Sequence, residues 1–462
     1  MADASQPGDP EEPEDRGERE PQPPVGPTGP GGSEPGGLPP FLFGGGFDPA
    51  QFDLSQIDLG QVMRMLQSDG PVNWEIARQT AEWVALEGST EAAIREADRA
   101  QFEELAHGAQ TLVVGETGLT ATFATPLVAV GRQGWVDLHL VALRPVLEAL
   151  AARLGDTIRR AAEEDDEAPD PLADPGLAAA FGPLAGLGGM PGMGNVLALL
   201  APALLGVQAG SLIGYLAQHA LGRYDLPLPT GHPPTAADAG GDPPTLCFVV
   251  PNVDRFESEW SLPRDDLRFY VALHEVVHAA TRSVPWVRGR LVQLAVDYVS
   301  NYEIDPDAFE AEFGTIDPQD PEAIQRMSEN PQRVLGAMHS PRQDAPRDEL
   351  QRLTSVLEGY ADLVLTRVGR RLVPTFDRIH EAMQRHRVER GDAERFIEGL
   401  LGLKLEREHY EQGQTFCAGV VDRAGLDGLN RVWTSAAMLP TANELAAPGL
   451  WLARIDLPDA TD

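Results

Sequence analysis

The residues of this chain with the clearest chemical potential are the pentapeptide 274–278, which reads His-Glu-Val-Val-His. The surrounding pattern predicts a helix over about residues 264–283, which starts near a proline and two acids and stops at Pro285. On a helix, positions i and i+4 share one face, so His274 and His278 can bind the same metal ion. Glu275 then faces the water on that ion and acts as a general base. This motif is typical of zinc hydrolases, although five residues of this form also arise by chance.

A catalytic zinc site needs a third protein ligand, and the best candidate is Glu358. It lies in the apolar stretch 353–365, where Glu358 and Asp362 are four positions apart and share a helix face. Charged groups among Leu and Val are rarely buried unless they are paired or bind a metal. We therefore predict that Glu358 is a ligand and that Asp362 accepts the distal N–H of a ligand histidine. The alternative is an acidic stripe on a solvated helix face.

Beyond the histidine pair, the stretch 358–362 reads Glu-Gly-Tyr-Ala-Asp, and several flanking blocks accompany these two motifs. Together they resemble a bacterial family of zincin-like, zinc-dependent metalloproteases or hydrolases of gluzincin type. One branch of that family is associated with deazaflavin coenzyme biosynthesis. The resemblance extends from about residue 41 to the C-terminus. The flanking blocks are 70–74, 131–136, 221–227, 249–252, 284–286, 439–441 and 451–454.

This resemblance implies a bound Zn²⁺ as cofactor, held by His274, His278 and Glu358, with Glu275 as the catalytic acid/base. It implies no particular substrate. From the motif chemistry we expect a peptide or amide substrate.

The charge balance limits the partners. Acidic residues number 71 against 36 basic ones, for a formal net charge of −35. Such a surface repels nucleic acids and anionic membranes, so we expect neither as a partner. The N-terminus shows no signal-peptide pattern. Cys247 and Cys417 are expected to be buried small side chains in a reducing compartment, with a disulfide between them as the alternative. The predicted location is the cytoplasm, and the sequence carries no signal for an oligomeric state.

Composition divides the chain into a tail and one large domain. Residues 1–40 are rich in Pro, Gly and Glu and are predicted to be a disordered tail. Residues 41–462 are predicted to form one zincin-like domain, mainly α (α+β), with a small β-sheet that includes the strand 245–250. Disordered or lid-like insertions are expected near 160–194 and 228–244.

The uncharged stretch 196–217 has nearly the length of a membrane span, but Pro202 interrupts it and no basic cluster flanks it. We interpret it as a buried helix, with a membrane span as the alternative. Residues 111–130 suggest an irregular connection. Other predicted helices are 54–67, 72–87, 90–110, 133–154, 287–302, 319–329, 346–369, 374–389, 392–401 and 425–433.

Hydrolysis also needs a donor for the oxygen that becomes negatively charged. Tyr360 and His380 are candidate oxyanion donors, with His386 and His409 behind them. Two alternatives to an active hydrolase stay open. One is an inactive zincin-like protein that binds zinc or a peptide without hydrolysis. The other is a helical interaction protein with an accidental motif, which the separate acidic motif at 358–362 disfavours.

Overall fold

Helices form most of the described chain, and one small sheet accompanies them, which confirms the prediction of a mainly α fold. The computed structural model describes residue 68 and residues 70–119, 124–163, 193–230, 245–303, 339–388, 398–403 and 407–457. The predicted tail 1–40 and the predicted helices 54–67 and 319–329 lie outside these ranges, as do most residues of both predicted insertions.

Thirteen α-helices and two strands are labelled here in chain order within the described ranges. The helices of the first half are α1 (Trp74–Ala85), α2 (Glu96–Thr117), α3 (Arg132–Ala142), α4 (Arg144–Glu163) and α5 (Met193–His219). Those of the second half are α6 (Val250–Glu259), α7 (Arg264–Arg282), α8 (Pro285–Ser300), α9 (Asp344–Leu372), α10 (Phe376–Val388), α11 (Arg407–Asn430), α12 (Ala442–Ala446) and α13 (Pro448–Asp456). The strands are β1 (Ala124–Val130) and β2 (Thr245–Val249).

Helix α7 carries the histidine pair and runs through the centre of the core. Pro263 precedes it, and Asp265 and Asp266 occupy its first turn, where acids favour the positive end of the helix dipole. Nearly every residue from Leu267 onwards is buried, including the polar ones. It packs against α2 on one side and α9 on another. Because the helix is enclosed, any polar side chain on it needs a partner inside the protein.

Helix α9, which carries Glu358, is held by an unusually close contact with α11. A Cβ atom at Gly359 would lie 2.2 Å from the carbonyl carbon of Gly413, and one at Gly413 would lie 1.9 Å from the carbonyl oxygen of Ser355. Only glycine on both helices permits this approach. The contact fixes the position of α9 next to Glu358. Helix α11 is longer than the sequence indicated, since only its end near 425–433 was predicted to be helical.

Helix α5 contains the uncharged stretch 196–217 and packs along α1. Pro202 lies within the helix, and most residues from Ala201 onwards are buried or half-buried. Among the described helices, none combines the length and the apolar character that a membrane span requires. The interpretation as a buried helix agrees with these findings.

The sheet consists of β1 and β2, which pair in parallel with Ala129 opposite Phe248. The sequence indicated an irregular connection over 111–130, and this was wrong. Helix α2 continues to Thr117, Gly118 ends it with a left-handed backbone (φ 69°), and β1 follows. Pairing with the distant β2 stabilises this strand, so local residue patterns did not reveal it. On its other side β2 bridges to Gly222, which brings the segment after α5 beside α7.

Candidate metal centre

Three side chains from two helices converge in the core. His274 and His278 come from consecutive turns of α7, and Glu358 comes from α9. Each offers one ligand atom, and these atoms lie within 4.8 Å of one another. Nε2 of His278 is 3.8 Å from a carboxylate oxygen of Glu358. All three residues are buried. We call this group the cage.

Burial favours the neutral charge state in both cage histidines, and a metal ion binds only neutral imidazole. Burial lowers the pKa of His274 and His278 well below the usual value, and nearby arginines lower both further. Neutral imidazole has a free lone pair, which a protonated ring lacks. Nε2 of His278 is buried and has no hydrogen-bond partner among the described residues. A buried polar atom without a partner is rare in proteins and calls for an explanation, such as an ion.

The cage fits zinc by the chemistry of its donors. Two imidazole nitrogens and one carboxylate oxygen are the protein ligands of many catalytic zinc sites. Ligand atoms on a four-coordinate zinc ion at ~2.0–2.2 Å lie about 3.4 Å apart. The ligand atoms of the cage lie within 4.8 Å of one another, so they would have to move closer together to share one ion. The donor atoms of His274, His278 and Glu358 therefore form a group that could hold a zinc ion.

Glu275 is held by the segment that follows α5. Its carboxylate accepts hydrogen bonds from the backbone N–H of Arg223 at 2.8 Å and of Tyr224 at 3.0 Å. Its Oε1 lies 3.5 Å from Nδ1 of His274. Burial raises the pKa of Glu275 to about 8 and Asp225 adds to the rise, while the two backbone donors oppose it. The two backbone hydrogen bonds hold the carboxylate beside the cage.

Glycine at position 222 is a steric requirement of this arrangement. A Cβ atom there would lie 2.4 Å from Cδ of Glu275. The carbonyl of Gly222 accepts a hydrogen bond from Nε1 of Trp135 at 2.8 Å, and Val249 donates its N–H to the carbonyl of Leu221 at 2.9 Å. Strand β2 and α3 thus hold this backbone against the side chain of Glu275.

Asp362 contacts a different histidine from the ones expected. Its Oδ1 lies 3.2 Å from Nε2 of His380, whose Nδ1 lies 2.9 Å from the hydroxyl of Tyr270. Among the described contacts, the imidazole partner of Asp362 is therefore His380 and not a cage histidine. Tyr270 precedes His274 by one helical turn on α7, so this polar chain reaches the helix next to the cage.

Both candidate oxyanion donors, Tyr360 and His380, contact polar groups outside the cage. The hydroxyl of Tyr360 donates to Asn430 at 2.8 Å, and its ring packs edge-on against Trp433. Tyr360 is two positions from Glu358, so the two side chains leave the helix on opposite faces. Both ring nitrogens of His380 have partners, as described above. This placement favours neither Tyr360 nor His380 as an oxyanion donor.

Two arginines at the cage were missed by the sequence reasoning. Arg282 is buried, donates to Nδ1 of His278 at 2.8 Å, and lies over the ring of Tyr224. Arg387, from α10, donates to Nε2 of His274 and lies 3.8 Å from Glu358. Arg282 could have been found, because it is four positions after His278 and so shares its face. The sequence around Arg387 does not indicate that α10 packs next to α7 in the folded protein.

The chain is similar to known proteins both in sequence and in fold. The sequence profile of the zincin-like metallopeptidase family matches residues 72–452. The crystal structure of a putative hydrolase with a novel fold from Chloroflexus aurantiacus is similar, with a TM-score of 0.53 and 25% sequence identity. The similarity covers 84% of this chain and 99% of that one. No curated protein matches this chain.

Proposed function

This chain belongs to the zincin-like metallopeptidase family, and on that premise we propose that it is a zinc-dependent peptidase or amide hydrolase with Glu275 as general base. The observation that carries the proposal is the convergence of ligand atoms from His274, His278 and Glu358 within 4.8 Å in the core. The similarity to a putative hydrolase from Chloroflexus aurantiacus supports the same class of reaction.

His274, His278 and Glu358 would hold the ion. Zinc bound there would polarise a carbonyl group and lower the pKa of a water molecule toward neutrality. Burial keeps bulk water away from the cage, which strengthens electrostatic interactions inside it. The two histidines contribute neutral nitrogens and Glu358 contributes one negative charge, so a site with bound Zn²⁺ keeps a net positive charge that attracts a carbonyl oxygen.

Glu275 would move the proton. It takes a proton from the water that attacks the carbonyl carbon and passes it to the nitrogen that leaves. The backbone donors of Arg223 and Tyr224 orient its carboxylate for this role. These two N–H donors leave other lone pairs of the Glu275 carboxylate available, because a carboxylate has about four lone-pair positions for hydrogen bonds when it is ionised.

Metal content tests the proposal. The purified wild-type protein should contain about one zinc ion per chain, and Glu358→Ala should lose most of it. The matched control is Glu349→Ala, on the same helix, whose carboxylate pairs with Arg290 at 2.6 Å. This control should keep its zinc. Equal zinc content in wild type and Glu358→Ala contradicts the proposed ligand set.

A second candidate function is a zincin-like protein that binds a metal or a peptide without hydrolysis. The observation that favours it is that both carboxylate oxygens of Glu275 already accept backbone hydrogen bonds.

Hydrolysis of a mixed-sequence peptide library, read by mass spectrometry, separates the two candidates. For the hydrolase, wild type cleaves peptides, and Glu275→Gln lowers the rate by about 10²–10⁴-fold while zinc stays bound. For the binding protein, neither form cleaves any member of the library.

A further inference from the structure

Arg387 extends from the last turn of α10 into the cage. One guanidinium nitrogen, Nη2, donates to Nε2 of His274, and Nη1 lies 3.8 Å from a carboxylate oxygen of Glu358. Its Nε is buried without a hydrogen-bond partner among the described residues. The guanidinium therefore contacts two of the three residues that would hold the ion.

Positive charge is concentrated here in a strongly acidic protein. The chain has a formal net charge of −35, yet Arg282 and Arg387 both approach the cage. An arginine side chain stays protonated in proteins, and the carboxylate of Glu358 lies 3.8 Å from the guanidinium of Arg387. A cation whose side chain is only 13% exposed attracts an anion to the cage.

A guanidinium and a zinc ion cannot both use the lone pair of Nε2 of His274. Two cations at such short separation also repel each other strongly in a protein interior. The guanidinium is kept near a loaded cage when negatively charged oxygens lie close to both cations; Glu358 offers one such oxygen, and a substrate can offer another. Hydrolysis of an amide creates such an oxygen at the carbonyl group.

We propose that Arg387 is a catalytic residue that donates hydrogen bonds to the substrate's carbonyl oxygen as that oxygen becomes an anion. This inference rests on the proposed function and supplies the oxyanion donor that Tyr360 and His380 are not placed to provide. Because the ligand is a negatively charged oxygen, Arg387 also binds the carboxylate product.

Amide hydrolysis with these residues conserves electrons and protons at each stage. When the water oxygen bonds to the carbonyl carbon, the π pair of the C=O bond moves onto the carbonyl oxygen, where Arg387 donates to it. Glu275 holds the proton that the water loses. When the pair returns, the C–N bond breaks, its electrons go to nitrogen, and Glu275 protonates that nitrogen. The products are a carboxylic acid, which ionises, and an amine.

Anion binding to the metal-loaded protein tests the role of Arg387 without a known substrate. The full-length chain is loaded with cobalt(II), whose visible absorption reports its ligands, and titrated with acetate as the probe. Arg387→Gln should keep one metal ion per chain but bind acetate about 10- to 100-fold more weakly, as expected for loss of a hydrogen bond to a charged group. Arg387→Lys should be intermediate, because an ammonium keeps the charge but not the two-pronged geometry.

The matched control is Arg385→Gln, on the same helix. Arg385 pairs with Glu381 at 2.6 Å on the exposed face, so its removal should leave acetate binding unchanged. Wild-type acetate affinity in cobalt-loaded Arg387→Gln overturns this inference alone, and so does a loaded wild type with no response to acetate. Loss of the metal from Arg387→Gln also overturns it, since Arg387 then supports the ligands instead. A wild-type chain that binds no cobalt overturns the proposed function together with this inference.

Discussion

The two ends of helix α7 both bury charged groups, but they arrange them differently. Near the N-terminal end, Arg268 is fully buried and reaches Asp98 and Asp254, each at 2.8 Å. At the other end, the closest approach of Glu358 to His278 and to Arg387 is 3.8 Å in both cases. We call the first group the closed end and the cage side the open end.

The difference between the ends is one of distance rather than of residue type. At the closed end, each carboxylate accepts direct hydrogen bonds from the guanidinium nitrogens of Arg268, so the charges neutralise one another. At the open end, Nε2 of His278 and Nη1 of Arg387 each lie 3.8 Å from a carboxylate oxygen of Glu358, which is longer than a hydrogen bond. The buried charge of Arg268 is thus paired directly with acids at one end, whereas the other end brings together three ligand atoms that could hold a metal ion. A group of potential ligands indicates function, whereas the paired charges of the closed end indicate stability.

The largest stability effect is expected at the closed end. Arg268→Met leaves the buried Asp98 without its closest interior partner and should lower the free energy of unfolding by about 3 kcal/mol. The loss is at the lower end of the range for a buried pair because Arg95 and Arg264 remain near Asp98. Urea denaturation provides the measurement.

Arg264→Met is the control for that substitution. Arg264 faces the same acids, but its side chain is 38% exposed, so its removal should change the free energy of unfolding by less than about 1 kcal/mol. Equal effects of the two substitutions would show that the closed end does not depend on burial.

Zinc should stabilise the open end. A ligand that binds only the folded state adds about 2.7 kcal/mol to the free energy of unfolding when its free concentration is 100-fold above Kd. We expect this gain for wild type and for Arg268→Met, and none for Glu358→Gln. Denaturation with zinc and with a chelator measures it. A zinc-dependent gain that survives in Glu358→Gln would place the ion elsewhere.

Lowering the pH should destabilise the packing around Gly222, next to the open end, because His139 becomes protonated. This histidine stacks on Trp135, whose indole N–H holds Gly222, and burial lowers the pKa of His139 from 6.5 to about 3. The folded state therefore favours the neutral ring. That contribution is complete above pH 6.5 and is lost as the pH falls toward 3. Between pH 6.5 and pH 5 the loss should be about 2 kcal/mol.

The contribution of His139 is isolated by comparison with His139→Phe. The two cage histidines also have lowered pKa values and add to the acid sensitivity of both proteins. The free energy of unfolding of His139→Phe should therefore fall less steeply between pH 6.5 and pH 5. Parallel pH curves for wild type and variant would rule out this assignment.

The smallest effect is expected away from both ends of α7. Arg385 and Glu381 form an exposed ion pair at 2.6 Å between neighbouring turns of α10. Glu381→Gln should change the free energy of unfolding by no more than about 0.5 kcal/mol. A larger change, measured in urea, would mean that surface charges of this acidic chain matter as much as the buried ones at either end.

Sequence reasoning anticipated the parts of this comparison that depend on helical spacing. The pairing of His274 with His278 follows from a four-residue interval, and the burial of Glu358 follows from its apolar neighbours. The partner of Asp362 was not anticipated, because the position of His380 depends on how α10 packs beside α9. Arg387 is more than a hundred positions from His274, so only the tertiary structure brings them together.

The fold shows the same division between features that local residue patterns predict and features that depend on distant residues. Long helices such as α7 and α9 were predicted within a few residues of their observed ends, because hydrophobic periodicity and a preceding proline mark them. Strand β1 was not recognised, because its stability comes from β2 more than a hundred residues later. The role of Gly222 was also invisible, since a glycine in a sequence does not show which side chain approaches it.

The contact between Gly222 and Glu275 makes this protein vulnerable to a change that alters neither charge nor polarity. One added methyl group at position 222 would collide with the carboxylate and push it off its backbone donors. A variant that carries alanine there would look conservative in any sequence comparison and leave all three proposed metal ligands intact. It would nevertheless displace the side chain that we propose as the general base. The backbone at position 222 thus shapes the site as much as the side chains that line it.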